Sequence, residues 1–348
     1  MRYRLLGRSG LRVSELALGT MTFGPEWGWG AEKDESRRMF DAFAEAGGNF
    51  LDTANVYTQG TSERYVGEFI APDRDHWIVA TKYTLAALRP EDPNASGNHR
   101  KSMVRAVEAS LERLDTDYID LLWVHAWDFT TRVDEVMRGL DDLVRQGKVL
   151  YVGISDTPAW VVSRANTMAD LEGWSPFVAL QLRYSLIDRA AERDLLPMAR
   201  ALDLAVTPWS VLGAGVLTGK YNREEKPEEG RAKDGAATVE RNLSIAEVVV
   251  SIAEDLGCSP SRVAIAWVLR QRGVIIPLVG ARNLEQLSDN LEAVSVDLEP
   301  EHLRRLDEAS RIDLGFPHDF LGPDGSASEF IYGEYFERLD VHRGPLAR

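Results

Sequence analysis

The stretch 119–154, IDLLWVHAWDFTTRVDEVMRGLDDLVRQGKVLYVGI, contains a complete strand–helix–strand pattern. It begins with an apolar run, 119–125, that shows little alternation, as in strands buried on both faces of a parallel sheet. Over 133–144 the apolar residues recur at spacings of three and four, which is typical of an amphipathic helix, and Gly147 follows where a C-terminal cap is expected. A second apolar run follows at 150–154. The stretch therefore predicts two parallel strands joined by a helix.

The same pattern recurs along the chain. Short apolar runs occur at residues 16–19, 50–53, 77–81, 119–125, 150–154, 177–182, 205–209 and 274–279. Amphipathic patterns lie between them; one predicted helical face consists of Met103, Val104, Val107, Leu111 and Leu114. Eight strand–helix units of about 30 residues predict a (β/α)8 TIM barrel. A doubly wound sheet is the second possibility, but it is disfavoured because no GxGxxG motif follows the first run.

Several segments fall outside the eight units. Residues 3–6 and 11–14 predict a β-hairpin before the first barrel strand. Extra helices are predicted at 261–272, before the last strand, and at 300–311, after the barrel. Asn283 is a candidate N-cap for the helix that directly follows the last strand.

Two segments lack a helical pattern, 220–238 and 312–348. We expect a single domain over residues 1–348, in which 312–348 forms a C-terminal tail. The aromatic residues of this tail predict that it folds back onto the barrel. It would then serve either as a lid over the active site or as surface decoration.

The composition limits the classes of function. The chain has 348 residues, with 40 Lys and Arg against 55 Asp and Glu, and this formal net charge of −15 argues against general nucleic-acid binding. The single cysteine, Cys258, excludes a disulfide framework and a cysteine-rich metal site. Neither a run of about 18 apolar residues nor an apolar leader is present, so we expect no membrane span and a cytoplasmic protein.

Four polar residues stand at or just after predicted strand ends, where the active site of such a barrel lies. They are Asp52, Tyr57, Lys82 and His125. Taken singly, an aspartate at such a place is often a cap, a lysine is often solvated and a histidine often belongs to the core. Taken together, they predict an acid site for a carbonyl: Lys82 lowers the pKa of the phenol, Asp52 keeps the lysine charged, and His125 orients the substrate oxygen.

The absence of other motifs narrows the reaction. No nucleophile elbow, paired-carboxylate motif or HExxH motif is evident, and we expect no metal. The four residues would protonate an alkoxide as it forms, which is general-acid catalysis of carbonyl reduction. No side chain supplies hydride, so a cofactor is required.

Eight motifs make the chain resemble the aldo-keto reductases. In chain order they are GTMTFG, FLDTANVY, VATKY, LLWVHAWD, YVGISD, LQLRYSL, TPWSVLGAGVLTGKY and PLVGARNLEQLSDNLEA, and the resemblance covers residues 1–311. It implies a (β/α)8 barrel, a catalytic tetrad of Asp52, Tyr57, Lys82 and His125 with Tyr57 as the acid, and NADPH bound without a Rossmann domain. The implied function is the reversible, NADPH-dependent reduction of aldehydes or ketones to alcohols.

The resemblance also implies the cofactor contacts. Those at the nicotinamide end are Gly19, Thr20, Met21, Asp52, Ser155, Asp156, Gln181 and Trp209, and those along the pyrophosphate are Ser210, Leu212, Gly213, Lys220 and Arg231. Trp209 is expected to stack on the nicotinamide, with core packing as the alternative. Asp156 stands where the family usually has Asn, and a carboxylate accepts from the carboxamide NH2 but donates nothing to its oxygen.

The segment after the last strand carries the strongest local cofactor signal. Its candidate residues are Gly280, Arg282, Gln286, Asp289 and Asn290. A helix N-terminus here offers free N–H groups to a phosphate, and Arg282 is expected to bind the 2′-phosphate of NADP(H) through a bidentate contact. A surface arginine is the alternative.

The substrate pocket is expected to have an apolar wall. Its candidate residues are Trp27 and Trp29 in the first βα loop and Trp127 after the fourth strand, together with Tyr57 and His125. The ligand is a small carbonyl compound or an alcohol. No feature of the sequence specifies the physiological substrate, the favoured direction or the oligomeric state.

Two other functions stay open at this point. The motifs also resemble those of potassium-channel β-subunits, which bind NADPH and partner a channel, so a regulatory protein with little turnover is the main alternative. A barrel aldolase that uses Lys82 as a Schiff base is the second. Consumption of NADPH with a reactive aldehyde tests the first, and borohydride trapping on Lys82 tests the second.

Overall fold

The computed structural model describes residues 1–86, 91–222, 239–321 and 327–338, in which strands and helices alternate. The strands are β1 (Tyr3–Leu5), β2 (Arg12–Ser14), β3 (Ala17–Gly19), β4 (Phe50–Asp52), β5 (Ile78–Tyr83), β6 (Ile119–Val124), β7 (Val149–Ser155), β8 (Phe177–Arg183), β9 (Ala205–Trp209) and β10 (Leu278–Val279). The α-helices are α1 (Lys33–Glu45), α2 (Thr61–Ile70), α3 (Arg100–Leu114), α4 (Val133–Arg145), α5 (Ala159–Glu172), α6 (Leu195–Ala201), α7 (Glu240–Leu256), α8 (Pro260–Leu269), α9 (Leu284–Leu291), α10 (Pro300–Ser310), α11 (His318–Leu321) and α12 (Ala327–Tyr332).

Strands β3 to β10 form a parallel barrel in the order β10-β3-β4-β5-β6-β7-β8-β9. The ring is nearly closed. Between β9 and β10, the N–H of Val206 donates to the carbonyl of Val274 and the N–H of Ile276 donates to the carbonyl of Val206, both at 2.8 Å. Strands β1 and β2 form an antiparallel hairpin outside the ring. The predicted (β/α)8 TIM barrel with an N-terminal hairpin is confirmed.

The last barrel strand is shorter than the sequence predicts. Of the apolar run 274–279, only Leu278–Val279 pairs with β3 as a strand. Pro277 has no N–H group and donates no ladder hydrogen bond. The residues before it pair with Val206 of β9 instead, through an isolated bridge at Ile275.

The helices cover the outside of the barrel with the faces that their periodicity predicts, with one exception. Helix α4 buries Val136 and Leu140, and Gly147 follows it in the left-handed conformation at φ 72°, as expected for a C-terminal cap. In α3, Met103 is buried but Val104 is 39% exposed. Because Val104 follows Met103 by one position, it lies about 100° further around the helix and faces outward.

The hairpin closes one end of the barrel. Fully buried Trp123, inside the ring, belongs to the same apolar cluster as Leu6 and Val13 of the hairpin. The N–H of Ser14 donates to the side chain of Asn49, which precedes β4, at 2.7 Å. The hairpin therefore covers the N-terminal ends of the strands and leaves their C-terminal ends open.

The C-terminal segment follows the prediction only in part. Helix α10 occupies the predicted position, but the described part of 312–348 contains the short helices α11 and α12, where no helical pattern was expected. Phe316, Phe330 and Tyr335 are mostly exposed, so the lid remains a prediction. No helix within the described ranges has both the length and the apolar character needed to cross a membrane.

Candidate active site

The four candidate catalytic residues come from three neighbouring strands at the open end of the barrel. Asp52 ends β4, Lys82 lies one residue before the end of β5, and His125 follows β6 directly. Tyr57 lies in the turn that leads from β4 into α2. Since the carboxyl ends of parallel strands meet at one face of a barrel, the fold itself places these side chains together.

Lys82 lies at the centre of the cluster. Its ammonium Nζ lies 2.5 Å from Asp52 Oδ2, 2.7 Å from the carbonyl oxygen of Thr53 and 3.0 Å from the Tyr57 hydroxyl. The side chains of Lys82 and Asp52 are buried, with 0% and 2% of their surface exposed. Gln181 of β8 donates to the other carboxylate oxygen of Asp52 at 2.9 Å. All three donor positions of the ammonium are thus occupied, and one of them points at the phenol.

Charge and burial set the protonation of Lys82 and Tyr57. Burial acts to lower the pKa of Lys82, but the charges of Asp52 and Tyr57 outweigh it and the pKa is raised. Burial raises the pKa of Tyr57, while the charge of Lys82 acts to lower it. The sequence predicts a net lowering of the Tyr57 pKa, but its net direction in the structure is upward because the loss of water outweighs the charge of Lys82. Tyr57 is therefore a protonated donor at neutral pH.

His125 lies beside Tyr57 with its ring nearly perpendicular, at a centroid distance of 6.1 Å. Burial and the charge of Lys82 lower the pKa of His125 to about 3. Its Nδ1 atom is buried and has no hydrogen-bond partner among the described residues. The imidazole is therefore neutral at physiological pH, and it offers a hydrogen bond rather than a positive charge to a ligand.

A cavity of about 890 Å³ opens directly above this cluster, within the size range of ligand sites. It brings together most of the residues that the sequence analysis singles out. These are Gly19, Met21, Trp27, Trp29, Asp52, Tyr57, His125, Asp156, Gln181, Trp209, Ser210, Leu212, Lys220, Gly280, Arg282, Gln286, Asp289 and Asn290. These lining residues extend from the ends of β3 to β6, beside the catalytic cluster, to the start of α9 at the other end of the cavity.

One wall of the cavity is formed by Asp156, Gln181 and Trp209. The Trp209 indole N–H donates to Asp156 Oδ1 at 3.2 Å, and the N–H of Asp156 donates to the carbonyl of Gln181 at 3.2 Å. The guanidinium of Arg183, which ends the neighbouring strand β8, lies 5.7 Å from the centre of the Trp209 ring. Trp209 thus lines the cavity with its indole anchored at one edge, and it also packs against the apolar cluster inside the barrel.

The far end of the cavity differs from the expected helix N-terminus. Asn283 caps α9 as predicted, because its side chain accepts from the N–H of Gln286 at 2.9 Å. Glu35 of α1 accepts from the N–H of Leu284 at 2.6 Å. Two of the first N–H groups of α9 are therefore already used, one of them by a carboxylate. The Arg282 guanidinium lines the cavity and makes no ion pair within the described residues, so it can meet an anion at this end.

Several predicted residues lie apart from the cavity surface. Thr20 is fully buried and its hydroxyl bonds the carbonyl of Asp52 and the hydroxyl of Ser62. Gly213 is also buried, in the left-handed conformation at φ 56°. Ser155 is buried below Asp156, and Arg231 lies outside the described residues.

Asp289 lines the cavity but is engaged elsewhere. Its carboxylate accepts from the Ser259 hydroxyl at 2.5 Å and from the Arg262 guanidinium at 2.7 Å. Asn290 donates to the carbonyl of Gly280 at 3.4 Å, which is a long contact. A ligand at this end would meet Asp289 as part of a salt bridge rather than as a free carboxylate.

The aromatic wall is present, but Trp127 is not part of it. Trp27 stacks in a tilted arrangement on Trp29 at 5.5 Å and meets the Tyr57 ring edge-on at 6.2 Å. Trp127 lines a second cavity of about 490 Å³ instead. The reason is the clamp formed by Asn98, whose side chain bonds the backbone on both sides of Trp127 and turns that loop aside.

Other lining residues are not among the candidates named from the sequence. They are Thr22, Val56, Leu85, Val211, Ala214, Gly215, Thr218, Ser261 and Ile265. The first two, and the four between 211 and 218, lie inside motifs that already point to the site, so position in a motif is a usable signal for them. Ser261 and Ile265 lie on α8, whose apolar periodicity does not distinguish a cavity wall from core. No group of three or more His, Cys, Asp or Glu within the described ranges is arranged to hold a metal ion.

A TIM barrel with this buried Lys–Tyr–Asp cluster and an adjacent histidine, open at the carboxyl ends of its strands, is an oxidoreductase scaffold. The sequence profile of the aldo/keto reductase family matches residues 15–311, and the chain belongs to this family.

Curated relatives extend over nearly the whole chain. Norsolorinic acid reductase from Aspergillus flavus is 44% identical over 92% of this chain and 84% of its own length. Aryl-alcohol dehydrogenase [NADP(+)] from Phanerodontia chrysosporium is 40% identical over 93% and 89%. Aryl-alcohol dehydrogenase from Pestalotiopsis microspora is 38% identical over 93% and 86%. These names associate the relatives with aryl alcohols and with norsolorinic acid.

Proposed function

We propose that this protein catalyses the reversible, NADP(H)-dependent reduction of aromatic aldehydes or ketones to alcohols. The observation that carries the proposal is the 3.0 Å contact between the Lys82 ammonium and the Tyr57 hydroxyl at the floor of the cavity. The Tyr57 phenol is protonated before the reaction, and the Lys82 ammonium would stabilise the phenolate that forms when the proton is transferred. That is the requirement for a general acid that works in both directions.

Each residue of the cluster has a separate task in this proposal. Tyr57 donates its proton to the carbonyl oxygen of the substrate, and Lys82 stabilises the phenolate that remains. Asp52 keeps Lys82 charged and fixed, and Gln181 holds Asp52 in turn. Neutral His125 hydrogen-bonds the substrate oxygen and adds no charge next to Lys82. When bound, the nicotinamide cofactor supplies the hydride that no side chain supplies.

The chain offers a suitable place for such a cofactor. The chemistry of the lining fits a nicotinamide nucleotide: one wall presents an indole, a carboxylate and a carboxamide, and the far end presents Arg282. We propose that Gln181, Asp156 and Trp209 hold the nicotinamide, that Ser210, Leu212 and Lys220 follow the pyrophosphate, and that Arg282 with Gln286 and Asn290 holds the adenosine end. Gly19, Met21 and Gly280 line the same cavity and would contact the cofactor there.

The proposed substrate class rests on two supports. Trp27 and Trp29 present apolar ring surface next to the Tyr57 hydroxyl, which suits a planar aromatic group bearing the carbonyl. The relatives named above carry aryl-alcohol and norsolorinic acid in their names. The oxidoreductase would thus act on the CH–OH group of an aryl carbinol in the reverse direction.

The bonding of Lys82 speaks against the aldolase alternative. A Schiff base needs a neutral amine, but Lys82 is ion-paired to Asp52 and its pKa is raised. The β-subunit alternative differs from the proposal in turnover and is decided by measurement. The cytoplasmic location of the protein stays a prediction, to be checked by cell fractionation.

The experiment that tests the proposal follows NADPH absorbance in the presence of 4-nitrobenzaldehyde. We expect turnover with NADPH and, with NADP+ and 4-nitrobenzyl alcohol, the reverse reaction. Formation of 4-nitrobenzyl alcohol in a one-to-one ratio with NADPH loss excludes a side reaction. Tight NADPH binding without turnover on a panel of aryl carbonyls would instead identify a regulatory protein.

A further inference from the structure

We propose that the carboxylate of Asp156 makes the cavity hold NADP+ more tightly than NADPH and thereby favours hydride transfer to the carbonyl on the enzyme. The inference deepens the proposed function and rests on it. It concerns a residue that departs from the asparagine expected at this position, and it follows from the placement of one negative charge in the wall beside the acid.

The side chain of Asp156 is fixed at the cavity wall. Its backbone adopts φ 41°, a left-handed conformation that Asp and Asn adopt more readily than most other residues. Its N–H donates to the Gln181 carbonyl and its Oδ1 accepts from the Trp209 indole, each at 3.2 Å. The carboxylate is open to the solvent of the cavity, where a ligand would replace that solvent.

The wall that holds Asp156 is continuous with the catalytic cluster. Gln181 contacts Asp156 through its backbone and Asp52 through its side chain. The largest influences on the pKa of Tyr57 are burial and the charges of Lys82 and Asp52. The charge of Asp156 has a smaller influence and also raises this pKa. A ring placed to deliver hydride beside Tyr57 therefore lies within the electrostatic range of the Asp156 carboxylate.

The charge of Asp156 is not cancelled by a dedicated partner. The cations that act on it are Arg183 and Lys82, and these form salt bridges with Asp188 and Asp52. Burial raises the pKa of Asp156 overall, and the Trp209 hydrogen bond and then these two cations offset part of that rise. We take the carboxylate as ionised in this proposal, because its side chain faces the solvent of the cavity and accepts the Trp209 N–H.

The two redox forms of the cofactor differ at the ring by one unit of charge. In the reduction, the carbonyl carbon gains a hydride, its oxygen takes the proton of Tyr57, and the nucleotide is left with a positively charged ring. A carboxylate beside that ring stabilises the charge as it develops and afterwards. The neutral ring of NADPH gains nothing comparable, so the effect appears as a difference between the two affinities.

The test compares wild type with Asp156→Asn, which keeps the shape, the left-handed backbone preference and the acceptor for Trp209. NADPH is titrated by its own fluorescence, and NADP+ is titrated by displacement of NADPH. We expect the ratio of the NADP+ to the NADPH dissociation constant to rise about tenfold in the variant, mainly through weaker NADP+ binding. Stopped-flow reduction of 4-nitrobenzaldehyde should slow in the same variant.

Glu172→Gln provides the control, because it removes one negative charge from the exposed C-terminal end of α5, which is not part of the cavity lining. Its ratio should equal that of wild type. A wild-type protein that binds neither nucleotide overturns the proposed function and this inference with it. A protein that binds both, with the same ratio in wild type and Asp156→Asn, overturns this inference alone.

Discussion

Gln181 and Lys82, from opposite sides of the barrel, each donate a hydrogen bond to one oxygen of the Asp52 carboxylate, at 2.9 Å and 2.5 Å respectively. The carboxylate is almost fully buried, and Lys82 is completely so. An ion pair in this position is costly to break, because removal of one member leaves the other charged and without water.

Replacement of Asp52 by Asn should destabilise the fold as well as the activity. The ammonium of Lys82 loses its counter-charge while it stays buried, so the free energy of unfolding should fall by about 3–5 kcal/mol. Urea denaturation measures this change. The double variant Asp52→Asn, Lys82→Met removes both charges and should recover at least half of the lost stability without recovering activity. A single variant as stable as wild type would contradict a charged Lys82.

Tyr57→Phe tests the general acid. The change removes one oxygen and keeps the ring against Trp27, so folding and NADPH affinity should survive. Turnover in both directions should fall at least about a hundredfold. Steady-state kinetics with 4-nitrobenzaldehyde gives the result, and circular dichroism with NADPH titration gives the control. A near-normal kcat would remove Tyr57 from its assigned role.

His125 is expected to remain neutral through the physiological range. Burial and the charge of Lys82 lower its pKa to about 3, so protonation should begin only in strong acid. NMR of the histidine Cε1 signals, with His125→Gln to assign the resonance, should show one signal whose shift stays constant from pH 8 to 5. Accordingly, the pH profile of kcat/KM for reduction should show no change between pH 8 and 5 that arises from protonation of His125. A resonance that titrates near its ordinary value would contradict the burial of the ring.

Arg282 is expected to read the 2′-phosphate. Because Glu35 and Asn283 occupy N–H groups at the start of α9, the contact depends on the guanidinium more than on the helix end. Arg282→Ala should weaken NADPH about ten- to hundredfold, the equivalent of about 1.5–3 kcal/mol, and leave NADH nearly unchanged. The loss should shrink as salt rises. Arg304→Ala, on the exposed side of α10, is the matched control.

Equal weakening of NADPH and NADH by Arg282→Ala would show that Arg282 acts on the cavity as a whole. A wild type that prefers NADH would show that Arg282 does not recognise the 2′-phosphate. Titrations of both nucleotides at two salt concentrations distinguish these outcomes.

Trp209 should report cofactor binding through its fluorescence. Its indole lines the cavity and is anchored to Asp156, so a stacked ring should quench its emission. NADP+ is the suitable titrant because it does not emit. Trp209→Ala should weaken binding and abolish part of the quench, whereas Trp160→Ala, an exposed tryptophan at the start of α5, should leave both unchanged. An unaltered titration in Trp209→Ala would mean that no ring stacks there.

Much of the fold is predictable from two patterns: continuous apolar runs predict the buried strands, and apolar residues at spacings of three and four predict the helices. The eight apolar runs become the eight barrel strands, since continuous apolar runs are stable only when both faces are covered. The errors have local causes. Pro277 interrupts the last strand because it has no N–H to donate. Val104 lies at the border of the predicted apolar face of α3, and the spacing of apolar residues does not show which border residues are exposed.

The candidate site is predictable where it is built from strand ends and less so where loops decide. Asp52, Lys82 and His125 come together because parallel strands share one carboxyl face. Trp127 does not join them, because Asn98, far away in the sequence, turns its loop aside. The Glu35 contact at the start of α9 also joins distant segments, and no periodicity reports such a contact.

The hydrogen bonds of Val206 across the gap between β9 and β10 give the barrel a seam, and the cavity straddles it. Trp209 and Ser210 stand on one side of the seam, and Gly280 and Arg282 on the other. A ligand that touches both sides binds the folded ring and not the unfolded chain, so it stabilises the barrel against unfolding. At a hundred times its dissociation constant that gain is about 2.7 kcal/mol. Filling the cavity should therefore raise the unfolding temperature of the whole barrel.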